Sequence, residues 1–104
     1  MPTFDFARIP AQLLYNPDAT IGELHTFTAL AYCETLPHHC PPLTAREVAA
    51  ALVAPETPIT THLIRSAATR LVRLMHLGYA KRTVVVQANK PYGHWETTNP
   101  DDEA

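Results

Sequence analysis

The chain has 104 residues, which is enough for one compact domain and too few for two. Hydrophobic residues make up 46% of the chain and charged residues 17%, a balance that favours a buried core over disorder. The formal net charge of −2 argues at first against a nucleic-acid partner. We therefore expect a single globular domain over residues 1–104.

The N-terminal segment, residues 1–19, contains three prolines and predicts an extended arm or a short helix over Ala11–Tyr15. We expect Leu13, Leu14 and Tyr15 to pack on the body of the domain. At the other end of the chain, residues 99–104 contain three carboxylates and predict a loose acidic tail.

The first long helix is predicted to begin at Thr20, because Thr20 and Glu23 have the spacing of a capping box. In this motif the threonine oxygen accepts an amide of the first turn, and the glutamate reaches back to the helix start. Pro37 ends the helix near Leu36. Apolar residues recur at helical spacing and define its buried face: Ile21, Leu24, Phe27, Leu30 and Ala31.

A short second helix is predicted over residues 44–52. It opens with another capping box, formed by Thr44 and Glu47. Its buried stripe consists of Val48, Ala49 and Leu52.

A longer third helix begins at Thr57 or at Thr60 and ends before Gly78, a residue that suits the left-handed conformation at a helix end. Polar residues lie on one side of this helix and apolar residues on the other, which is typical of an amphipathic surface helix. The buried stripe is predicted to contain Ile64, Ala67, Ala68, Leu71, Leu74 and Met75.

The region after Gly78 predicts a β-hairpin. Tyr79–Val86 is rich in β-branched residues and predicts a first strand. Asn89–Gly93 is rich in turn formers, and His94–Thr98 can return as the second strand. We expect Trp95 to pack in the core, whereas Tyr92 could stack on a nucleic-acid base or pack on the body.

Basic residues are concentrated between Thr57 and Trp95. This segment contains six Lys or Arg and no Asp or Glu, while the rest of the chain has two basic residues against ten acidic ones. Such a separation predicts one basic face on an acidic body, although a charge run can also be a solvated surface without function. The six basic residues are Arg65, Arg70, Arg73, Lys81, Arg82 and Lys90.

The order of a helix, a short helix, a turn, an amphipathic helix and a hairpin resembles the winged helix-turn-helix family of DNA-binding domains. Thr44–Leu52 and Leu71–Tyr79 carry the resemblance, and the second of these is similar to the leucine-x-x-leucine-x-x-x-glycine-aromatic ending of the family's recognition helix. The resemblance covers roughly residues 20–98 and is greatest to bacterial and phage regulators or replication-initiation modules. It implies a mainly helical α+β fold with a three-helix core and a two-stranded wing.

The third helix could bury its leucines while its polar face enters the major groove of B-DNA, which is about 12 Å wide. Threonine, serine and histidine form hydrogen bonds there, and arginine reaches guanine edges or phosphates. The hairpin would bring its cations to the adjacent backbone or minor groove. The predicted DNA-binding residues are His62, Arg65, Ser66, Thr69, Arg70, Arg73, Lys81, Arg82 and Lys90.

The connection between the second and third helices is longer than the family pattern implies. It is either an enlarged turn or additional turns of helix. For this reason His62, Arg65, Ser66 and Thr69 are better candidates for base contacts than Thr57 or Thr60. A solvated helix face is the alternative for Arg65, Thr69, Arg70 and Arg73. For the hairpin cations Lys81, Arg82 and Lys90, the alternative is protection of the edge strands against aggregation.

Neither a metal site nor a catalytic site is predicted. Cys33, His38, His39 and Cys40 have zinc-binding atoms, but their spacing matches no common zinc finger. Ser66 is the only serine, and no motif places a general base beside it. The three glycines form no phosphate-binding loop. We therefore expect no enzymatic activity and no cofactor.

These features predict sequence-specific binding of double-stranded DNA by a transcriptional regulator. One module makes few contacts, so we expect a homodimer on a two-fold site, paired through the first helix and the arm (Phe4, Phe6, Ile9, Leu13 and Leu14). One alternative is an origin-binding module for phage or plasmid replication. The other is a protein-interaction module without a nucleic-acid role, which the overall acidity favours.

Targeting signals are not evident in the sequence. Residues 1–10 show no basic segment followed by an apolar run, and no stretch approaches the roughly 20 apolar residues that cross a bilayer. Two cysteines are too few for a disulfide scaffold. We expect a cytoplasmic protein with reduced thiols and no membrane partner.

Overall fold

The structure, a computed structural model, describes residues 11–35 and 43–98, and over these ranges it consists of four helices and one β-hairpin. The helices are α1 (Ala11–Leu14), α2 (Ile21–Thr35), α3 (Ala45–Leu52) and α4 (Thr61–Leu77). Strands β1 (Ala80–Gln87) and β2 (Lys90–Thr97) pair in the antiparallel direction. The fold is therefore α+β and mainly helical. Helices α2, α3 and α4 with the hairpin form a winged-helix arrangement, which confirms the predicted fold class.

The short helix α1 places Leu13 in the core, where this side chain is fully buried. Tyr15, which was also expected to pack on the body, is instead 80% exposed. Tyr15 directly follows the last residue of α1 and lies in the turn after this helix. Of the residues predicted for dimer pairing, Phe4, Phe6, Ile9 and the side chain of Leu14 lie outside the described part of the chain. Leu13 is buried within the domain, so its prediction as a pairing residue is wrong.

Helix α2 begins with the predicted capping box. The amide of Glu23 donates to Oγ1 of Thr20 at 3.4 Å, and the amide of Thr20 donates to Oε1 of Glu23 at 3.3 Å. Ile21 was expected in the core but is 70% exposed. Helical spacing places Ile21 on the side of His25 and Tyr32, which are also exposed, and away from Phe27 and Leu30, which are buried.

Helix α3 follows Thr44, whose hydroxyl donates to Oε1 of Glu47 at 3.1 Å and accepts no backbone amide. The second capping box is therefore not formed as predicted. Val48 and Ala49 are buried, and Leu52 is half-buried. Residues 53–60 form no helix, so the long connection is an enlarged turn.

Helix α4 begins after Thr60, whose Oγ1 accepts the amide of Leu63 at 3.2 Å, so the alternative start at Thr57 is wrong. Leu71 and Leu74 are fully buried in the core. Met75 was predicted to join them but is 37% exposed. It lies at the edge of the buried stripe.

Gly78 ends α4 in the left-handed conformation, with a φ of 93°. The amide of Tyr79 then donates to the carbonyl of Leu74 at 2.9 Å, and the chain turns into β1. Thr98, after β2, closes the same corner: its hydroxyl donates to the carbonyl of Gly78 at 2.9 Å and its amide to the carbonyl of Tyr79 at 3.0 Å. The helix end and both ends of the hairpin therefore meet at one place.

The hairpin turns at Ala88 and Asn89, not within Asn89–Gly93 as predicted. Both turn residues have positive φ, 53° and 65°, as in the two-residue turns whose twist matches the strands. Pro91 consequently lies inside β2, opposite Val86. A two-stranded sheet tolerates this proline because each of its strands has an unpaired edge.

The base of the hairpin is connected to the helices by Trp95 and His94. Trp95 is 4% exposed, which confirms its expected place in the core. Its amide donates to the carbonyl of Leu43 at 2.9 Å, and the amide of Leu43 donates to Nδ1 of His94 at 2.8 Å. From α2, Oε1 of Glu34 accepts the amide of Thr97 at 2.9 Å. The hairpin is thus held to both α2 and the segment before α3.

Candidate nucleic-acid interface

Helix α4 presents a polar face on the side away from the core. His62, Arg65 and Thr69 are exposed there, whereas Ala67 and Leu71 are buried on the opposite side. The 17 residues of α4 include no Asp or Glu, and the N-terminal end of a helix carries partial positive charge. This face therefore offers hydrogen-bonding and cationic groups with no carboxylate of the same helix beside them.

Arg65 and Thr69 are neighbours on this face. The hydroxyl of Thr69 donates to the carbonyl of Arg65 at 3.0 Å, so its oxygen lone pairs remain available as acceptors. Within residues 11–35 and 43–98 the guanidinium of Arg65 has neither an ion-pair nor a hydrogen-bond partner. A ligand could therefore contact this pair without displacing an internal contact of the arginine.

Ser66 and Arg70 lie on the flank of α4 that faces α2 and α3. Ser66 is half-buried, and Arg70 is exposed with its guanidinium against Gly22. A Cβ added to Gly22 would lie 2.7 Å from Nε of Arg70, so only glycine leaves room for the arginine in this position. The structure thus directs these two predicted residues away from the Arg65–Thr69 face.

Arg73 is occupied by contacts with the start of α2. Its Nε lies 3.6 Å from Oε1 of Glu23, and its Nη2 donates to the carbonyl of Asp18 at 3.1 Å. Burial on its own would raise the pKa of Glu23, but hydrogen bonds from Thr20 and the charge of Arg73 outweigh burial, and the net pKa is below its usual value. Glu23 is therefore an ionised partner that holds Arg73 in place.

The hairpin cations differ in their contacts. Nζ of Lys81 lies 3.6 Å from Oε2 of Glu96, in a pair whose members are both largely exposed and which contributes little to stability. The guanidinium carbon of Arg82 lies 6.0 Å from the ring centre of Trp95. Lys90, next to the turn, is exposed and has no ion-pair partner in the described part of the chain.

Carboxylates lie beside two of the six cations of the predicted basic face, Arg73 and Lys81, because the chain folds Glu23 and Glu96 against them. These carboxylates lie outside the acid-free segment of the sequence, and only the fold brings them close. Of these six cations, four have no carboxylate partner among the described residues: Arg65, Arg70, Arg82 and Lys90.

Two features of the surface were missed by the sequence analysis. His76 is exposed on the polar side of α4, seven residues after Thr69, and helical spacing alone could have found it. Val84 and Val86 are 63% and 69% exposed on the hairpin. The β propensity of this segment predicted a strand but did not predict that the strand extends beyond the core. Tyr92 is 37% exposed and pairs with Val85 across the hairpin.

The structure describes only one of the four side chains considered for zinc. Cys33 is buried, and desolvation together with the charges of Glu47 and Glu34 raises the pKa of its thiol. A raised pKa disfavours the thiolate that zinc requires. His38, His39 and Cys40 lie outside the described residues. Residues 11–35 and 43–98 contain no cluster of three or more metal-binding side chains.

None of the helices in the described ranges has the length and apolar character that a transmembrane span needs. Comparisons with protein-family models, curated proteins and solved structures found no significant match to the chain.

Proposed function

We propose that this protein binds double-stranded DNA with sequence preference and acts as a cytoplasmic transcriptional regulator. Helix α4 would enter the major groove, with the hairpin against the neighbouring backbone. The observation that carries the proposal is the exposed Arg65–Thr69 face on a helix that has no carboxylate. Arginine pairs with guanine edges or phosphates, and threonine donates to or accepts from bases and contacts the thymine methyl group.

The length of the hairpin supports a second contact. Seven residue steps of about 3.3 Å separate Thr97 at the base from Lys90 at the tip, a distance of roughly 23 Å. The described strands are paired over this whole length, from Ala80 opposite Thr97 to Gln87 opposite Lys90. Lys90 would therefore reach a phosphate well beyond the helical body, while Arg82 lies nearer the base.

The direct test is fluorescence anisotropy with labelled duplexes enriched from a random pool by the wild-type protein. Arg65→Gln is expected to weaken binding of the enriched duplex by about 1–3 kcal/mol. Lys81→Gln is the matched control, because it removes the same charge from a side chain that already pairs with Glu96. No enrichment by the wild type, or equal losses in the two variants, would contradict the proposal.

A homodimer on a two-fold site is part of this proposal, because one module offers few base contacts. The exposed side of α2, with Ile21 and Tyr32, is the described surface proposed for pairing. Analytical ultracentrifugation of wild type and Ile21→Glu, each alone and with the enriched duplex, tests it. A wild-type protein that binds the duplex with one chain only would overturn this part.

A protein-interaction role is the second candidate, and the exposed apolar hairpin face favours it. Val84 and Val86 lie opposite Gly93 and Pro91, so four uncharged residues form one side of the distal hairpin. In a pull-down, Val84→Lys would abolish capture of a protein partner, whereas Arg65→Gln would not. Salt-sensitive retention on heparin that depends on Arg65 would favour DNA binding instead.

A further inference from the structure

A cleft of about 220 Å³ lies where helices α2, α3 and α4 meet. His25 of α2, Ala49 and Leu52 of α3, and Ala67 and Arg70 of α4 contribute to its lining. All three helices must be in place to form it, so the cleft is a product of the tertiary fold and not of one surface loop.

Two alanines, Ala49 and Ala67, form an apolar floor of the cleft. Ala49 and Ala67 are each 1% exposed and belong to helices that pack together. Their short side chains leave space between α3 and α4 that a longer residue would fill. Leu52, which is half-buried, extends the apolar lining toward the surface. A short hydrocarbon group could be buried here.

The rim of the cleft is polar, and the described residues that line it include no carboxylate. Its polar lining residues are His25, Ser66 and Arg70, whose side chains end in an imidazole, a hydroxyl and a guanidinium. Arg73, one turn further along α4, is paired with Glu23, but Arg70 has no ion-pair partner in the ranges that the structure describes. The positive charge of Arg70 beside the apolar floor is therefore not neutralised by a carboxylate of the described residues.

We propose that this cleft binds a small organic carboxylate with a short apolar group. The carboxylate would accept charge-assisted hydrogen bonds from Arg70 and a hydrogen bond from Ser66. The apolar group would lie on Ala49 and Ala67. Pockets for drug-sized ligands measure roughly 300–1,000 Å³. The present cleft of about 220 Å³ therefore suits a smaller compound.

The ligand would also oppose DNA binding, a consequence that rests on the proposed function. Ser66 and Arg70 belong to α4, the helix proposed to enter the major groove. A carboxylate held beside them adds negative charge next to that helix, where it would repel the phosphates. Because linkage is reciprocal, DNA would weaken binding of the carboxylate by the same factor.

The test of the site is a two-dimensional amide NMR titration of the full chain with benzoate, and with benzamide as the uncharged analogue. Benzoate is expected to give saturable shifts of residues around the cleft, and benzamide much smaller ones. Arg70→Gln should abolish the benzoate shifts, whereas Arg65→Gln, the same charge loss on the same helix outside the cleft, should preserve them. Absence of saturable shifts, shifts centred elsewhere, or equal shifts in both variants would overturn the proposal.

A second experiment, which measures DNA binding, distinguishes failure of this site from failure of the proposed function. Benzoate is expected to raise the Kd of the enriched duplex for wild type and not for Arg70→Gln. Saturable NMR shifts without any change in Kd would overturn the coupling, while failure of the wild type to bind duplexes would overturn only the proposed function. Loss of DNA affinity in Arg70→Gln without any benzoate shift would show that a DNA phosphate occupies this position, and would refute the carboxylate site.

Discussion

Nε of Arg73 lies 3.6 Å from Oε1 of Glu23, and this ion pair joins the C-terminal half of α4 to the first turn of α2. Glu23 is also the carboxylate of the capping box with Thr20. One buried side chain therefore serves both the start of α2 and the position of α4. The Arg73 guanidinium, expected from the sequence to contact DNA, stabilises the domain through this carboxylate.

Replacing Glu23 by Gln is expected to lower the free energy of unfolding at neutral pH by about 1 kcal/mol. The value is modest because Arg73 is more than half exposed and solvent screens its charge. The pKa of Glu23 is lower in the folded protein than the reference value of 4.5. Its contribution is therefore complete above the unfolded pKa and is lost as the pH falls through the folded pKa.

Urea unfolding between neutral and acidic pH measures this contribution. The difference between wild type and Glu23→Gln should shrink toward the acid end of the series. Glu56→Gln, in the exposed connection before α4, is the control and should follow the wild type. A difference that stays constant with pH would show that the ionised form of Glu23 is not the stabilising one.

The effects of substitutions at Gly93 and Arg82 on stability are predicted to be coupled. A Cβ on Gly93 would lie 2.6 Å from Nε of Arg82, so Gly93→Ala should displace the guanidinium from Trp95. The expected cost is about 0.5–1 kcal/mol, the value of an exposed cation–π contact. In an Arg82→Ala background the same change should cost nothing. Thermal unfolding of the four proteins of this double-mutant cycle measures the coupling, and additive effects would contradict it.

His94 is predicted to stabilise the junction between the hairpin and the segment before α3. His94→Phe removes the acceptor at Nδ1 and leaves the buried amide of Leu43 without a partner, which should cost about 1–3 kcal/mol. Amide hydrogen exchange should accelerate at Leu43 and at Trp95, whose amide donates to Leu43. His76→Phe, on the exposed side of α4, should change stability by less than about 0.5 kcal/mol. Unchanged exchange at Leu43 would argue against this role.

Lys90 is predicted to contact a DNA phosphate and not a base. Lys90→Ala should weaken binding of all duplexes by a similar factor and should reduce the slope of log K against log salt by about one. Lys81→Ala, on the same hairpin but paired with Glu96, should change the slope less. Anisotropy titrations at several salt concentrations supply both slopes, and identical slopes for Lys90→Ala and wild type would exclude the contact.

Local signals in the sequence predicted the start of α2 and the end of α4. Thr20 with Glu23, and Gly78 after a leucine-rich helix, act through their own backbone neighbours, so no tertiary information is needed. Periodicity also gave the direction of the buried stripes. It did not give their width, because the exposure of Ile21 and Met75 depends on how the other elements pack against these helices.

The hairpin turn was misplaced because local preference and strand pairing compete. Asn89–Gly93 has the stronger turn composition, but pairing over eight residues on each strand moves the turn to Ala88 and Asn89. The ion pairs of the candidate interface were not predictable for a related reason. Glu23 and Arg73 are far apart in the chain, and only the packing of α2 on α4 brings them together.

The corner formed by Gly78 and Thr98 would constrain which DNA sites the proposed regulator recognises. Both ends of the hairpin are hydrogen-bonded at the end of α4, so the wing cannot pivot independently of that helix. Helix and wing would then approach DNA as one rigid body. The number of base pairs between the site read by α4 and the phosphate reached by Lys90 would be constant, and operators with altered spacing would be rejected even when each half is intact.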